Sequence, residues 1–295
     1  MKKCARVKKM RKKVAAQSAM EYLMTYGWAI LIIAVVLGAL FQLGVFNSSS
    51  FSPRAPPGAC QVFRPGGPGS TTNINLMGVC TGQLPQYVAK FDGASSYVRI
   101  PLSTNLPNNF FNGDEWAFSS QILRSSTSPA NSDFFQGQTH KPRFRWYGGV
   151  IGVDAFVGGT YIGIASAPSP SNNVFHHIVI TSSYSGNYLR IYVDGGLSGS
   201  SSFVRIDSGA TYYLLSANHF ATEWWNGTIS NVQIYNTSLT ANQIQALYLQ
   251  GIGGAPMKLQ NLVGWWPLNG NSNDYSGNNN NGVPTALTFT SQYGK

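Results

Sequence analysis

The sequence holds little charge, and least of all negative charge: of 295 residues only 10% are charged, and ten carry a carboxylate side chain. Three of those ten are glutamates, Glu21, Glu115 and Glu223. A retaining glycosidase holds two carboxylates about 5 Å apart. Neither Glu115 nor Glu223 has a partner acid at strand spacing, and a strand would send the neighbours Asp114 and Glu115 to opposite faces. The expectation is a protein without a catalytic residue, not an enzyme. Histidine is scarce too: His140 and His219 stand alone, and strand alternation splits His176 from His177. A zinc site needs three or four convergent ligands, so no metal ligand is expected. Of three cysteines, Cys4 lies among basic residues, which leaves Cys60 and Cys80. In an extracellular segment such a pair reads as a disulfide worth about 3 kcal/mol; the alternative is two buried free thiols.

The net charge of +10 suggests a nucleic-acid partner until its placement is read. Lys2, Lys3, Arg6, Lys8, Lys9, Arg11, Lys12 and Lys13 crowd the first thirteen residues, and the remainder is close to neutral. A nucleic-acid reader carries its basic stripe on the folded domain, so no nucleic-acid partner is expected. No charge occurs from Tyr22 to Pro53, where "YLMTYGWAILIIAVVLGALFQLGVF" gives 25 nearly continuous apolar residues. At about 1.5 Å per residue such a helix exceeds the roughly 30 Å hydrocarbon core of a bilayer. Tyr22, Tyr26 and Trp28 would sit at the interface, with the basic end cytoplasmic and the rest outside the cell. The run is too long for a secretory signal core, and no Ala-x-Ala site follows. Three N-x-[ST] sequons, at Asn47, Asn226 and Asn236, fit that exterior location as glycosylation candidates.

After the apolar run, "NSSSFSPRAPPGAC" and "RPGGPGSTT" make a Pro/Gly/Ser-rich stalk over residues 47–83, closed into a loop if Cys60 and Cys80 pair. From residue 84 the pattern has period two. "YVAKFDG", "SSYVRIP", "FHHIVITSS", "LRIYVDGGL" and "GTISNVQIYN" read as short strands with turns between them, and Ile229, Val232 and Ile234 are expected to point inward. One helix interrupts: Thr240 and Gln243 form a capping box, Ile244, Leu247 and Tyr248 share a face, and Gly251 stops it. Such spacing predicts an all-β sandwich.

Two resemblances sharpen this reading. The basic leader, then Gln17 and Glu21 four positions on, then a long apolar helix resemble the class III signal peptide of archaeal type IV pilin-like proteins, whose pattern is Q-x-S-x-E-x-x-x-L. Ala19 stands where Ser is usual and Thr25 where Leu is usual. The resemblance covers residues 1–46 and implies that a prepilin peptidase cuts between Ala16 and Gln17. It further implies that Glu21 pairs with the new amine of an identical or related pilin subunit in a filament, so that a buried charge sets register. Read without the resemblance, Glu21 sits at the membrane interface in the first helical turn, where the helix dipole favours it.

The segments "AKFDGASSYVRIP", "FHHIVIT", "LRIYVDGGLSGS", "NGTISNVQIYNTSLTANQIQALY" and "LVGWWPLNGNSNDYSGNNNNG" resemble the laminin-G/concanavalin A-like jelly-roll family over residues 86–290. In that family the "WWPLNGNSNDYSG" segment precedes the "FDG" strand; here it comes last, so the resemblance implies a circularly permuted sandwich, the alternative being a truncated second copy. About 35 residues cannot bury a core alone, so Leu262–Pro267 is expected to form a strand in the same sandwich as Val88–Phe91. The family resemblance also allows calcium, which is left unassigned; no cofactor is expected.

The resulting domain plan is a basic leader (1–16), an apolar helix (17–46), the stalk (47–83) and a concanavalin A-like β-sandwich (84–295). Ligand contacts would come from exposed aromatics flanked by polar groups: Trp146 and Tyr147, Trp224 and Trp225, Trp265 and Trp266, with Asn226, Arg145 or Asn218 as polar neighbours. Alternation predicts one ring of each pair inward and one outward. The whole reads as a surface-exposed, pilin-like subunit at the cell membrane whose sandwich recognises surface glycans or proteins. One alternative is a single-pass anchored lectin-like protein that never polymerises; another, less favoured, is a surface glycosidase.

Overall fold

The structure, a computed structural model, describes residues 24, 26–39, 85, 87–138, 141–158, 160–206, 209–217 and 223–291. Ala16, Gln17, Glu21, Asn47, Cys60, Cys80 and Asn218 lie outside the described residues, so the processing site, the disulfide and one sequon stay as sequence expectations. Taken by itself, the N-terminal segment is helical at Met24 and over residues 26–39, and each of these residues is exposed. The helix expected over 17–46 is thus described over part of its length only. Among the described residues no helix is long and apolar enough to cross a membrane.

The rest of the described chain is an all-β sandwich of two antiparallel sheets. In chain order the strands begin with β1 (Val88–Asp92), β2 (Tyr97–Pro101), β3 (Glu115–Arg124), β4 (Ser132–Gly137) and β5 (Arg143–Tyr147). There follow β6 (Val150–Val157), β7 (Thr160–Pro168), β8 (Phe175–Ser183), β9 (Tyr188–Val193) and β10 (Gly196–Ser201). The last are β11 (Tyr212–Leu215), β12 (Asn226–Tyr235), β13 (Leu262–Trp266), β14 (Val283–Thr285) and β15 (Thr288–Thr290). The first sheet runs β10-β9-β8-β3-β12-β1-β15 with β13 also on β12; the second runs β14-β2-β11-β4-β5-β6-β7.

Local chemistry explains the turn between β1 and β2. The Asp92 carboxylate accepts the backbone N–H groups of Ala94, Ser95 and Ser96 at 2.9, 2.8 and 3.0 Å. Partial burial opposes its ionisation, yet these bonds and the Ser95 hydroxyl outweigh it and hold the carboxyl well below the usual carboxylate range. Gly93 is required twice over: its φ is +74°, and a Cβ there would lie 2.7 Å from Cβ of Asn226.

Between the sheets lies an aromatic core. Phe111 sits at its centre and meets Trp116, Phe135, Phe144 and Tyr213 edge-on, with ring centroids 5.0–5.9 Å apart. Ile229, Val232 and Ile234 all reach this core, as expected. Their spacing of three and then two is not that of a regular strand. A bulge between Ser230 and Gln233, with Asn231 at φ +51°, restores the facing.

The C-terminal tail completes both sheets. β13 pairs with Val232–Tyr235 of β12, β15 with β1, and β14 with β2. Leu262–Trp266 therefore does form a strand in the sandwich that holds Val88–Asp92. The asparagine-rich stretch that follows β13 is organised by a buried carboxylate. Asp274 accepts the N–H groups of Trp265, Ser276 and Asn280, each at 2.9 Å, and the Ser276 hydroxyl.

One outer face is covered. The helix Ala241–Gln250, capped by Thr240 and Gln243 as expected, lays Ile244 and Leu247 on Ala117, Val179, Tyr192, Tyr235, Leu262 and Trp265 of the first sheet. Tyr248 flanks this contact and stacks on His177 with ring centroids 6.3 Å apart. His177 is buried and hydrogen-bonds Ser119 Oγ through Nε2 at 2.9 Å; burial pushes its pKa down to about 4, against the opposing pull of Asp194.

Candidate functional site

The outer face of the second sheet has a different character. In β2, Val98 and Ile100 enter the core, so Tyr97 and Arg99 face out; in β5, Phe144 and Trp146 enter it, so Arg143, Arg145 and Tyr147 face out. Register then places Arg99 opposite Leu214, Leu214 opposite Gln136, Gln136 opposite Arg143, and Arg143 opposite Asp154. One row along, Asp133 stands opposite Arg145. Two acids and two arginines therefore alternate as a square on three adjacent strands.

The ion pairs follow from that square. Arg143 Nε donates to both oxygens of Asp133, at 3.0 and 2.9 Å, and its Nη2 pairs with Glu223. Arg145 pairs with Asp154 and lies 3.8 Å above the centre of the Tyr147 ring. That ring rests on Gly152, where a Cβ would fall 2.3 Å from it. Asp133 is fully buried, and burial pushes its carboxyl up to about 7 against the attraction of Arg143 and Arg145. Burial raises Asp154 as well, with Arg145 opposing. Two arginines cannot fully offset such desolvation, so the cluster fixes strand register more than it adds stability.

Beside the square runs a strip of rings and one cation. Trp224 meets Tyr97 with ring centroids 6.2 Å apart. Arg99 stands two residues from Tyr97 on the same face, about 7 Å along the strand. Its guanidinium lies 4.8 Å from the centre of the Tyr212 ring. Arg99 is exposed, and among the described residues no carboxylate pairs with it. Tyr97, Tyr212 and Trp224 are half-buried. Such a surface can stack on a flat apolar ring face and hydrogen-bond the groups around it.

Of the expected ligand contacts, Trp146 and Trp225 are buried in the core, while Tyr147 and Trp224 remain partly exposed. One ring of each of these two pairs points inward: Trp146 and Tyr147 split by alternation along β5, whereas Trp224 and Trp225 lie just before β12. Trp265 and Trp266 are both buried, but in different layers: Trp266 between the sheets, Trp265 beneath the helix. Asn226 is half-buried, and its side-chain amide donates to Thr127 Oγ1 at 3.1 Å; Asn236 is exposed. Arg145 is an expected polar neighbour of the rings, whereas Tyr97, Arg99, Tyr212 and the pairing of Asp133, Arg143, Glu223 and Asp154 are not expected as a site from the sequence. The alternating "YVRIP" and "RFRWY" carried the signal for the outward members; the meeting of three acids depends on cross-strand register. Among the described residues no group of three or more His, Cys, Asp or Glu could hold a metal ion.

Known proteins agree with this architecture. Among solved structures, the fold is similar to that of a protein from Bacteroides ovatus ATCC 8483 named as a candidate carbohydrate binding protein. That match has a TM-score of 0.53 and 15% identity, and covers 70% of this chain and 60% of that one. This chain therefore accounts for about 60% of that protein's length. A heptameric SAP-like pentraxin from Limulus polyphemus matches with a TM-score of 0.45 and 16% identity, over 56% of this chain and 83% of its own. The binding domain of botulinum neurotoxin serotype D matches with a TM-score of 0.42 and 16% identity, over 56% of this chain and 43% of its own. No curated protein matches the sequence. Residues 92–245, more than half of the chain, match the family Laminin_G_3. By that match, carried on a two-sheet sandwich, the chain belongs to the Concanavalin A-like lectin/glucanases superfamily.

Proposed function

We propose that this protein is a surface recognition protein whose sandwich binds glycans, or glycan-bearing proteins, on the outer face of its second sheet. The observation that carries the reading is that strip: Trp224, Tyr97, Arg99 and Tyr212 lie side by side on a face left uncovered by the helix that closes the other sheet. Membership of a superfamily of lectins and glucanases fits it. Binding without turnover is the favoured form. Asp133 is fully buried and held by both oxygens to Arg143, and Glu223 and Asp154 are each engaged by an arginine, so no carboxyl of the cluster stands free for proton transfer. Incubating the full-length chain, in detergent, with an array of neutral and acidic oligosaccharides tests the reading. Binding that falls at least tenfold in Trp224→Ala supports it; binding to none of them, or binding indifferent to Trp224, sinks it.

The N-terminal part of the proposal is anchoring and assembly. The apolar run holds the chain in the cell membrane with the sandwich outside, a prepilin peptidase removes residues 1–16, and Glu21 then meets the amine of Gln17 on a neighbouring pilin-like subunit. The basic leader, Gln17, Glu21 and the charge-free stretch from Tyr22 to Pro53 support it. The N-terminal mass of protein taken from its native membrane decides: a chain beginning at Gln17 supports assembly, whereas one retaining Lys12 and Lys13 leaves a simple anchored receptor.

A further inference from the structure

On the glycan-binding reading above, the chemistry of the strip narrows the ligand, and we infer that it takes acidic glycans, chains of sugars bearing carboxylates, with Arg99 as the residue that reads the acid. The remaining arginines of the same face are committed. Arg143 is shared by Asp133 and Glu223, and Arg145 is taken by Asp154. Arg99 alone among them is exposed and meets no carboxylate among the described residues.

Its position matches the task. The Tyr212 ring beneath the guanidinium fixes its plane without using its hydrogen-bond donors, since a cation over a ring is held by the ring's quadrupole. Those donors, presented as a planar fork, suit a carboxylate better than a single hydroxyl. On the side of Arg99 away from Tyr212 stand Tyr97 and Trp224, so a sugar bound through Arg99 has rings beside it for its neighbour. Leu214, opposite Arg99 in the ladder, is buried, which keeps the floor between the cation and Gln136 apolar. A neutral sugar offers the guanidinium only hydroxyls in exchange for water, whereas a carboxylate adds a charge-assisted, two-pronged pair, so the preference for an acid is a difference of affinities built into one residue.

The test uses the full-length chain in detergent and two forms of one ligand: an oligogalacturonate and the same oligomer with its carboxyl groups reduced to alcohols. Titration calorimetry at 50 and 300 mM salt should show the acidic oligomer bound about tenfold or more tightly, with the preference shrinking at high salt. Arg99→Gln should abolish that preference and leave the thermal midpoint unchanged, since Arg99 is exposed. Trp224→Ala should weaken both forms together. Equal binding of the two forms, or a preference for acid that survives in Arg99→Gln, overturns the inference while the glycan-binding reading stands. Binding of neither form, while other oligosaccharides bind, also overturns it. Failure of every oligosaccharide overturns both.

Discussion

On the outer face of the first sheet, Ala117, Val179, Tyr192 and Tyr235 disappear beneath the helix Ala241–Gln250. On the outer face of the second, Arg99 stays exposed, Tyr97 and Tyr212 remain half-buried, and the buried residues include the charged Asp133, Arg143 and Asp154 beside Leu214 and Gln136. Both faces belong to antiparallel sheets that share one aromatic core. What separates them is the side chains sent outward and whether an element lies over them. The helix-covered face gains from burial, roughly 1.5–3 kcal/mol for each large apolar side chain fully removed from water. The charged face cannot gain in that way, because desolvating an ion pair costs about as much as its attraction returns. Residues retained there against that cost are best explained by specificity and recognition, and those on the covered face by stability.

Substitutions on the two faces should therefore separate stability from binding. The largest loss is expected for Asp133→Ala, which strips the buried Arg143 Nε of both its acceptor oxygens, leaves Arg143 with Glu223 alone and should cost about 3–5 kcal/mol in denaturant unfolding. The triple replacement D133L/R143M/E223Q, which also neutralises the second partner of Arg143, should recover most of that loss; if it is no better than D133A, the cluster contributes stability after all. Next comes Leu247→Ala beneath the helix, expected to cost about 2–5 kcal/mol while leaving glycan binding intact.

A smaller effect separates the faces by pH. His177, on the covered face, has its folded pKa pushed down to about 4, so the unfolded chain takes up the proton first. Its contribution is full above pH 6.5 and falls by about 3 kcal/mol as pH drops toward 4. Asp133, on the charged face, is shifted the other way, up to about 7. Its contribution is full below the ordinary aspartate value near 4 and is lost as pH rises through 7. The two slopes oppose each other across the same window. In His177→Gln, stability should fall as pH rises from 4 to 7; in Asp133→Asn it should rise from 4 to 6.5. Unfolding curves at four pH values read both, and parallel profiles for the two variants would refute the assignment. The smallest stability effect is expected for Trp224→Ala, within about 0.5 kcal/mol, although its effect on ligand affinity should be the largest of the set.

Much of this fold is legible in short stretches of sequence. The capping box at Thr240 and Gln243 is a contact between residues three apart, and it forms as read. The inward Trp146 and outward Tyr147 follow from the two-residue period of strand β5. The resemblance of "LVGWWPLNG" to a segment found elsewhere in the family led to β13, and burial of an otherwise coreless tail gave the reason. In the asparagine-rich tail, four bonds converge on Asp274 once the strand β13 brings Trp265 to it.

The candidate site was legible only in fragments. Trp224 and Tyr147 are nameable as members of adjacent aromatic pairs, but the pair Trp265–Trp266 on β13 is buried on both faces, because the helix covers the outward ring. Glu223 was read as an acid without a partner, and along the chain it has none. Its partner Arg143 stands 80 residues away and reaches it across the sandwich's second sheet. Asp133, Arg143 and Asp154 come together because a register joins β4, β5 and β6, and a slip of one residue would send every one of them to the other face. The sequence by itself determined strands such as β1, β2, β8, β9 and β12, the capped helix and the alternation of side chains within a regular strand, since those depend on neighbours one to four residues apart. The tertiary structure decided which outer face the helix covers and which charges meet on the other. Those outcomes rest on the registers of strands distant in the chain, and no local pattern specifies them.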